Sequence, residues 1–304
     1  MHPAYSIIFF TTSSGLGYGL AAMLGLGLLD PSSAWVKFAH LLALALIAGG
    51  LLSSTFHLGN PQRAWRALPQ WRSSWLSREG VLAILTFVPL AISAWFAVFE
   101  STHLPLIGLL GTAGAIATVY CTSMIYASLR SIQAWNTRLT SASYLLFAGA
   151  GGSLLATFIA ACAGQTSWHL ALIAILLLAA AWATKIQWRK RLAEPPLSTP
   201  ETATGLGHLG KVRLFERPHT NENYLMREMG FRVARNHADK LFRIALVTGG
   251  AIPVLLLLVS LLLGQGAAAV VLALAVLSHA LGVLVERWLF FAEARHAVMN
   301  YYGG

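Results

Sequence analysis

The feature that most constrains this chain is the recurrence, along almost its whole length, of apolar runs long enough to cross the hydrocarbon core of a bilayer. A core about 30 Å thick takes about 20 helical residues. Inside it no water is present to satisfy backbone N–H and C=O groups, so a spanning segment must close its own hydrogen bonds, as an α-helix does. Eight runs meet the length: Ser6 to Leu29, Trp35 to Leu58, Glu79 to Phe99, Pro105 to Leu129, Ser141 to Ala163, Ser167 to Thr184, Leu241 to Leu263 and Ala267 to Phe291. The expected fold is all-α, a polytopic membrane protein with eight transmembrane helices in a bundle. Hydrophobic residues at 57% and charged residues at 11% lie outside the range of an ordinary soluble domain. No Lys or Arg precedes the first run, which is too long for the apolar region of a signal peptide, so it is expected to stay as a helix.

The charge then orients the bundle. Against 11 Asp and Glu stand 21 Lys and Arg, a formal net charge of +10. Eight spans put the termini and the loops 59–78, 130–140 and 185–240 on one side, and nearly all the cations fall there. They include Arg63, Arg66, Arg72, Arg78, Arg130, Arg138, the group from Lys185 to Arg191, the group from Lys211 to Arg243, Arg287 and Arg295, leaving Lys37 at the opposite edge. By the positive-inside rule both termini are expected in the cytoplasm. The domain organisation follows as helices one to six over 1–184, a cytoplasmic loop over 185–240, and helices seven and eight with a tail over 241–304. The balance is a topology signal and does not point to nucleic acid. Cys121 and Cys162 are the only cysteines, too few for an iron–sulfur cluster, and they read as packing thiols.

Where the second run ends, the sequence reads Thr55-Phe56-His57-Leu58-Gly59-Asn60-Pro61, followed by Gln62-Arg63-Ala64-Trp65-Arg66. Gly59 and Pro61 mark a helix end. His57 therefore stands at a membrane edge beside the carbonyl end of a helix, which favours a proton on its ring. Imidazole exchanges a proton near neutral pH, the property a quinol site needs, although an interfacial His that only bonds water carries the same signature. Trp65, Trp71 and Trp75 interleave with arginines as interfacial anchors. Ser77 is a cap for the third span, with Glu79 in its first turn. A carboxylate at the depth of His57 is also a candidate proton acceptor.

Three more groups share that edge. Tyr126 and Arg130 stand four apart at the end of the fourth span, expected on one helical face. They serve either as an aromatic-belt residue with a snorkelling cation or as a grip on a headgroup. Glu286 and Arg287 fall near the end of the eighth span, where adjacent opposite charges can stay solvated, and charge in a span makes function the default hypothesis. His279 lies deeper and reads as an interhelical hydrogen-bonder. In 185–240 the first part reads as a flexible linker. The second part sets Leu225, Met229 and Val233 at helical spacing with Arg227, Arg232 and Arg235 off the stripe, an amphipathic helix for a membrane surface or a partner.

These residues carry a resemblance. His57-Leu58-Gly59-Asn60-Pro61 with Arg63-Ala64 after it, and Leu76-Ser77-Arg78-Glu79 opening the next helix, resemble the membrane-anchor subunits of DMSO reductases (DmsC, related to the NrfD-like anchors). Weaker signals are the helix ends at Arg130 and at Glu286-Arg287. The resemblance covers essentially the full chain, and the tail from Trp288 to Tyr302 looks like the version found in sulfite dehydrogenase anchors (SoeC-like). It implies a quinone-reactive anchor in a bacterial inner membrane, with no haem or iron–sulfur cluster in this chain. Such an anchor exchanges electrons between menaquinone or ubiquinone and an iron–sulfur subunit, which in turn serves a molybdopterin catalytic subunit. It further implies that His57 binds the quinol, with Tyr126, Glu79, Arg130, Glu286 and Arg287 as second-rank candidates.

Two rivals remain open at this point. A haem b anchor needs axial histidines at matched depth on facing helices; His40, His103 and His169 lie towards the outer side, His279 is central and His57 is at the inner edge. A transporter marks its substrate site with broken helices and charge at the midplane. Here the charge gathers at one face.

Overall fold

The computed structural model describes residues 3–165, 168–216, 221, 229 and 237–302, and His57 by its backbone alone. It has eight helices long and apolar enough to span a membrane, numbered here α1 Tyr5–Gly25, α2 Ala34–Phe56, α3 Trp75–Glu100, α4 Pro105–Ala127, α5 Arg138–Cys162, α6 Trp168–Arg191, α7 Ala238–Ser260 and α8 Gln265–Ala292. Among the described residues there is no strand. The expected all-α bundle is therefore the observed one, with ends shifted by a few residues. The stripe of Leu225, Met229 and Val233 falls largely outside the described residues.

Why α1 sits at the centre follows from its sequence, a helix of Thr, Ser and Gly among apolar residues. Without a hydrophobic drive between helices in lipid, close backbone approach and interhelical hydrogen bonds take over. Gly19 of α1 and Gly152 of α5 are packed backbone to backbone, so that a Cβ on Gly19 would lie 1.8 Å from the carbonyl oxygen of Ala148. Ser13 donates to the carbonyl of Leu46 at 2.9 Å and Thr112 to that of Ala22 at 3.2 Å, tying α1 to α2 and α4. α2 packs chiefly on α1 and α3 chiefly on α4, and the two pairs meet sparingly along the α2–α3 seam.

The seventh span is regular except for a π-turn at Val247–Ala251. Pro253 has no N–H to offer the carbonyl of Gly249, four residues earlier. His279 Nδ1 lies 2.7 Å from that carbonyl, and Ser278 Oγ donates to the neighbouring carbonyl of Thr248 at 2.6 Å. The pair Ser278-His279 in the middle of α8 thus satisfies backbone that the π-turn releases.

At the basic end of the bundle the polar segments are ordered against one another. Gln133, in the turn after α4, donates to the carbonyl of Pro195 and accepts from the N–H of Leu197. Asn300 donates to Ser198, the Tyr301 hydroxyl to the carbonyl of Ala203, and the N–H of Ala297 to the carbonyl of Ser131. A capping box at Thr199 and Thr202 opens a short helix, Pro200–Thr204. The flexible linker expected after α6 is instead a pinned cap, because its Ser, Thr and Pro residues find partners in the loop after α4 and in the tail.

Candidate functional site

The His57 stretch closes α2 with a tight 3-10 turn, Ser54–His57, and continues from Pro61 to Gln70 as a second 3-10 segment that is mostly exposed. Beneath this loop α3 begins. Its cap is Ser74, whose side chain accepts from the N–H of Ser77, so the expected cap at Ser77 lies one turn too late. Glu79 consequently falls past the first turn and faces inward, where it is 5% exposed. Thr122 of α4 donates to its carboxylate. A carboxylate in such a place is an expensive group, and one hydroxyl is a thin counterpart for it.

Tyr126 and Arg130 do not share a helical face. α4 ends at Ala127, so Arg130 lies in the turn beyond it and is exposed, whereas Tyr126 is buried. The ring of Tyr126 stacks on Tyr144 at 5.8 Å and meets Trp135, Phe290 and Phe291 edge-on. Trp135 Nε1 donates to the carbonyl of Phe290 at 2.9 Å, fixing this aromatic floor between α4, α5 and α8.

Glu286 and Arg287 are not solvated at a helix end. They are 1% and 2% exposed, and the third member of their cluster, Lys185, is 1% exposed. Lys185 Nζ lies 2.6 Å from one carboxylate oxygen of Glu286, and Arg287 Nε lies 3.1 Å from the other. Both cations also lie over aromatic faces, Lys185 at 3.6 Å from the centroid of Trp188 and Arg287 at 4.0 Å from that of Tyr144. Such contacts replace part of the lost hydration. Nearer the surface Arg189 bridges Asp239 of α7 and Glu293 beyond α8, at 2.8 and 3.1 Å. Sequence reasoning missed Lys185 because it opens a run of cations that resembles a loop. Its signal was helical phase: α6 continues to Arg191, and Lys185 shares a face with the buried Ala181, Trp182 and Trp188.

Between Glu79 and this cluster lies a small cavity of about 20 Å³, lined by apolar residues such as Val119 and Phe147 and by Thr11, Thr12, Thr122, Tyr144, His279 and Arg287. Thr12 Oγ1, His279 Nε2 and Arg287 Nη1 are buried without a protein hydrogen-bond partner among the described residues. A carbonyl only accepts, so the contact to Gly249 requires the proton on Nδ1 of His279 and leaves Nε2 of the neutral ring an acceptor. Arg287 can only donate. The two therefore present complementary ends to one chamber, which Thr122 connects to Glu79.

No group of three or more His, Cys, Asp and Glu able to hold a metal is found among the described residues. Of the histidines that a haem would recruit, His279 Nδ1 lies 2.7 Å from the carbonyl of Gly249 and His103 Nε2 lies 3.0 Å from that of Gly25.

Eight apolar helices, α1 packed at their centre and ion pairs and a buried carboxylate gathered towards one end, define an integral-membrane helical bundle. Residues 1–292 match the profile of the family described as DMSO reductase anchor subunit (DmsC), and the chain belongs to that family. A sulfite dehydrogenase subunit from Allochromatium vinosum is 36% identical to it, with 99% of each chain covered.

Proposed function

We propose that this anchor binds a membrane quinone at its basic, cytoplasmic end and exchanges electrons between it and an iron–sulfur subunit docked there, which serves a molybdopterin subunit. The single observation that carries the reading is Glu79, a carboxylate buried at the depth of the His57 turn and bonded to Thr122. The seam between α2 and α3 supports it, since Leu52, Phe56 and Leu76 are exposed apolar side chains at its basic end, suited to a long isoprenoid tail. Membership of the DMSO reductase anchor family, and the likeness to a sulfite dehydrogenase subunit, support a molybdopterin partner.

A bound quinone supplies reversible electron transfer coupled to protons. The chain's own work is then to orient the headgroup, to move the protons and to keep bulk water out. His57 serves as hydrogen-bond donor or proton acceptor according to the redox state, which Arg130 cannot do because it only donates. Glu79 holds or releases a proton behind it, with Thr122 fixing the carboxylate. Tyr126, Glu286 and Arg287 back the site as its aromatic floor and positive interior, and Arg130 stands on the docking face. That face comprises the loop 59–78, the region from Arg130 to Arg138 and the segment 218–240. Both termini lie in the cytoplasm and the membrane is the bacterial inner membrane, a placement the one-sided cations support.

The test is His57→Ala in the whole complex. Insertion and partner binding should persist, and so should turnover with an artificial electron carrier that bypasses the membrane, while quinone-linked turnover collapses. Near-normal quinone-linked turnover would make His57 an interfacial bystander and end this reading of the site.

A further inference from the structure

A second site lies on the opposite face of α4 from Glu79. Thr118 and Thr122 look towards α3 and the carboxylate, whereas Tyr120, Met124 and Ala127 form one wall of a groove of about 1140 Å³. Its floor is the first turn of α5, from Thr137 to Leu139, and its second wall is the end of α6, with Lys190 and Arg191. The groove is amphipathic along its length. Tyr120 and Met124 lie one turn apart, running inward from the basic end, and Leu139 adds to the apolar part. Arg138, Lys190 and Arg191 stand at its polar end against a single acid, Glu194, so the local balance is three cations to one anion. Arg191 is already positioned, donating to Thr137 at 2.8 Å and lying 3.6 Å from Glu194. Arg138 and Lys190 are exposed and make no ion pair among the described residues.

We propose that this groove binds one anionic phospholipid, its phosphate between Arg138, Lys190 and Arg191 and one acyl chain along Met124 and Tyr120. Charge complementarity selects this occupant. The chain's own segment 217–236 carries Arg217, Arg227, Arg232 and Arg235 against Glu222 and Glu228, and this net positive segment would meet like charge here. A zwitterionic headgroup leaves the excess of two cations uncompensated, whereas an anionic one offsets half of it and meets the hydrocarbon at the right depth. Basic pockets between membrane helices take anionic headgroups on this principle, at about 1 kcal/mol for each Lys or Arg near the surface.

The experiment is a titration of the purified full chain with phosphatidylglycerol and, separately, phosphatidylcholine, followed by native mass spectrometry. The wild type should bind phosphatidylglycerol first and more tightly. Arg138→Gln/Lys190→Gln should weaken that binding about 30-fold, the equivalent of about 1 kcal/mol for each cation. The control Lys240→Gln/Arg243→Gln removes the same charge from exposed positions on α7 and should leave binding unchanged. Equal affinity for the two lipids, or tight phosphatidylglycerol binding retained by the first variant, would overturn the proposal. So would exclusion of phosphatidylglycerol from the assembled complex, which would assign the groove to an acidic segment of a partner. The outcome is independent of quinone chemistry, since no turnover is measured.

Discussion

Replacing Glu286 by glutamine isolates the electrostatics of the buried cluster. In the native protein two cations, Lys185 and Arg287, share one carboxylate, and all three residues are at most 2% exposed. The cluster thus carries a net charge of +1, and Glu286→Gln raises it to +2 in a site shielded from bulk solvent. Removing one partner of a buried pair typically costs about 3–5 kcal/mol, because the other charge stays behind unpaired. Here two charges stay behind, so the upper end of that range is expected. Lys185→Met breaks the same 2.6 Å contact from the other side, but leaves the Arg287–Glu286 pair intact and the cluster neutral. Its cost should be about 1–2 kcal/mol, since the thioether refills the space of the lysine stem. The double variant leaves Arg287 alone over Tyr144 and should be more stable than Glu286→Gln, with a coupling of about 3 kcal/mol, larger than the cost of Lys185→Met alone. Thermal unfolding in detergent, read by a thiol-reactive dye at Cys121, which is free and 5% exposed, measures all three. At about 2–4 °C per kcal/mol, Glu286→Gln should melt about 10 °C below wild type and Lys185→Met within about 5 °C of it. If Lys185→Met melted as low as Glu286→Gln, or the double variant no higher, charge balance would not be what the cluster supplies.

Gly19→Ala should yield little folded protein, because its methyl group would sit 1.8 Å from the Ala148 carbonyl oxygen, whereas Gly49→Ala, with nothing within 4 Å, should insert and melt as wild type; yields and the same dye compare them. Glu79→Gln is expected to lower quinone-linked turnover about 100-fold, as loss of a proton-transferring group does, and Thr122→Val about 10-fold through one hydrogen bond to a charged group, both with carrier-linked turnover preserved. The cavity of about 20 Å³ exceeds the minimum that holds one water, so a high-resolution cryo-EM map should show an ordered water bridging Arg287 Nη1 and His279 Nε2; a map with neither density nor direct closure would contradict the donor and acceptor count.

The eight spans were legible because apolar runs and caps are local, and a hydrocarbon solvent leaves few alternatives. Pairings were not legible, because they depend on which helix faces which. Lys185 meets Glu286 across a hundred residues of sequence, and only its helical phase with Ala181, Trp182 and Trp188 distinguishes it from the exposed Lys190. Tyr126 and Arg130 are four apart, yet the helix that would align them stops at Ala127. Glu79 was visible as a carboxylate at the right depth, while its inward direction depended on a cap at Ser74 that competes with Ser73 and Ser77. In the segment after α6, low complexity concealed order, since its hydrogen-bond partners belong to the turn after α4 and to residues 297–301.

Those partners give the basic end a dependence on the order of synthesis. Tyr301 and Asn300 follow all eight helices in the chain, yet they fasten Ala203 and Ser198, while Ala297 fastens Ser131. An unfinished chain with all eight helices already inserted would still lack these clasps. The cap therefore forms after the bundle: its surface takes final form only once the segment beyond α8 has been made, and a soluble partner that recognises it engages anchors whose eight helices are already in place.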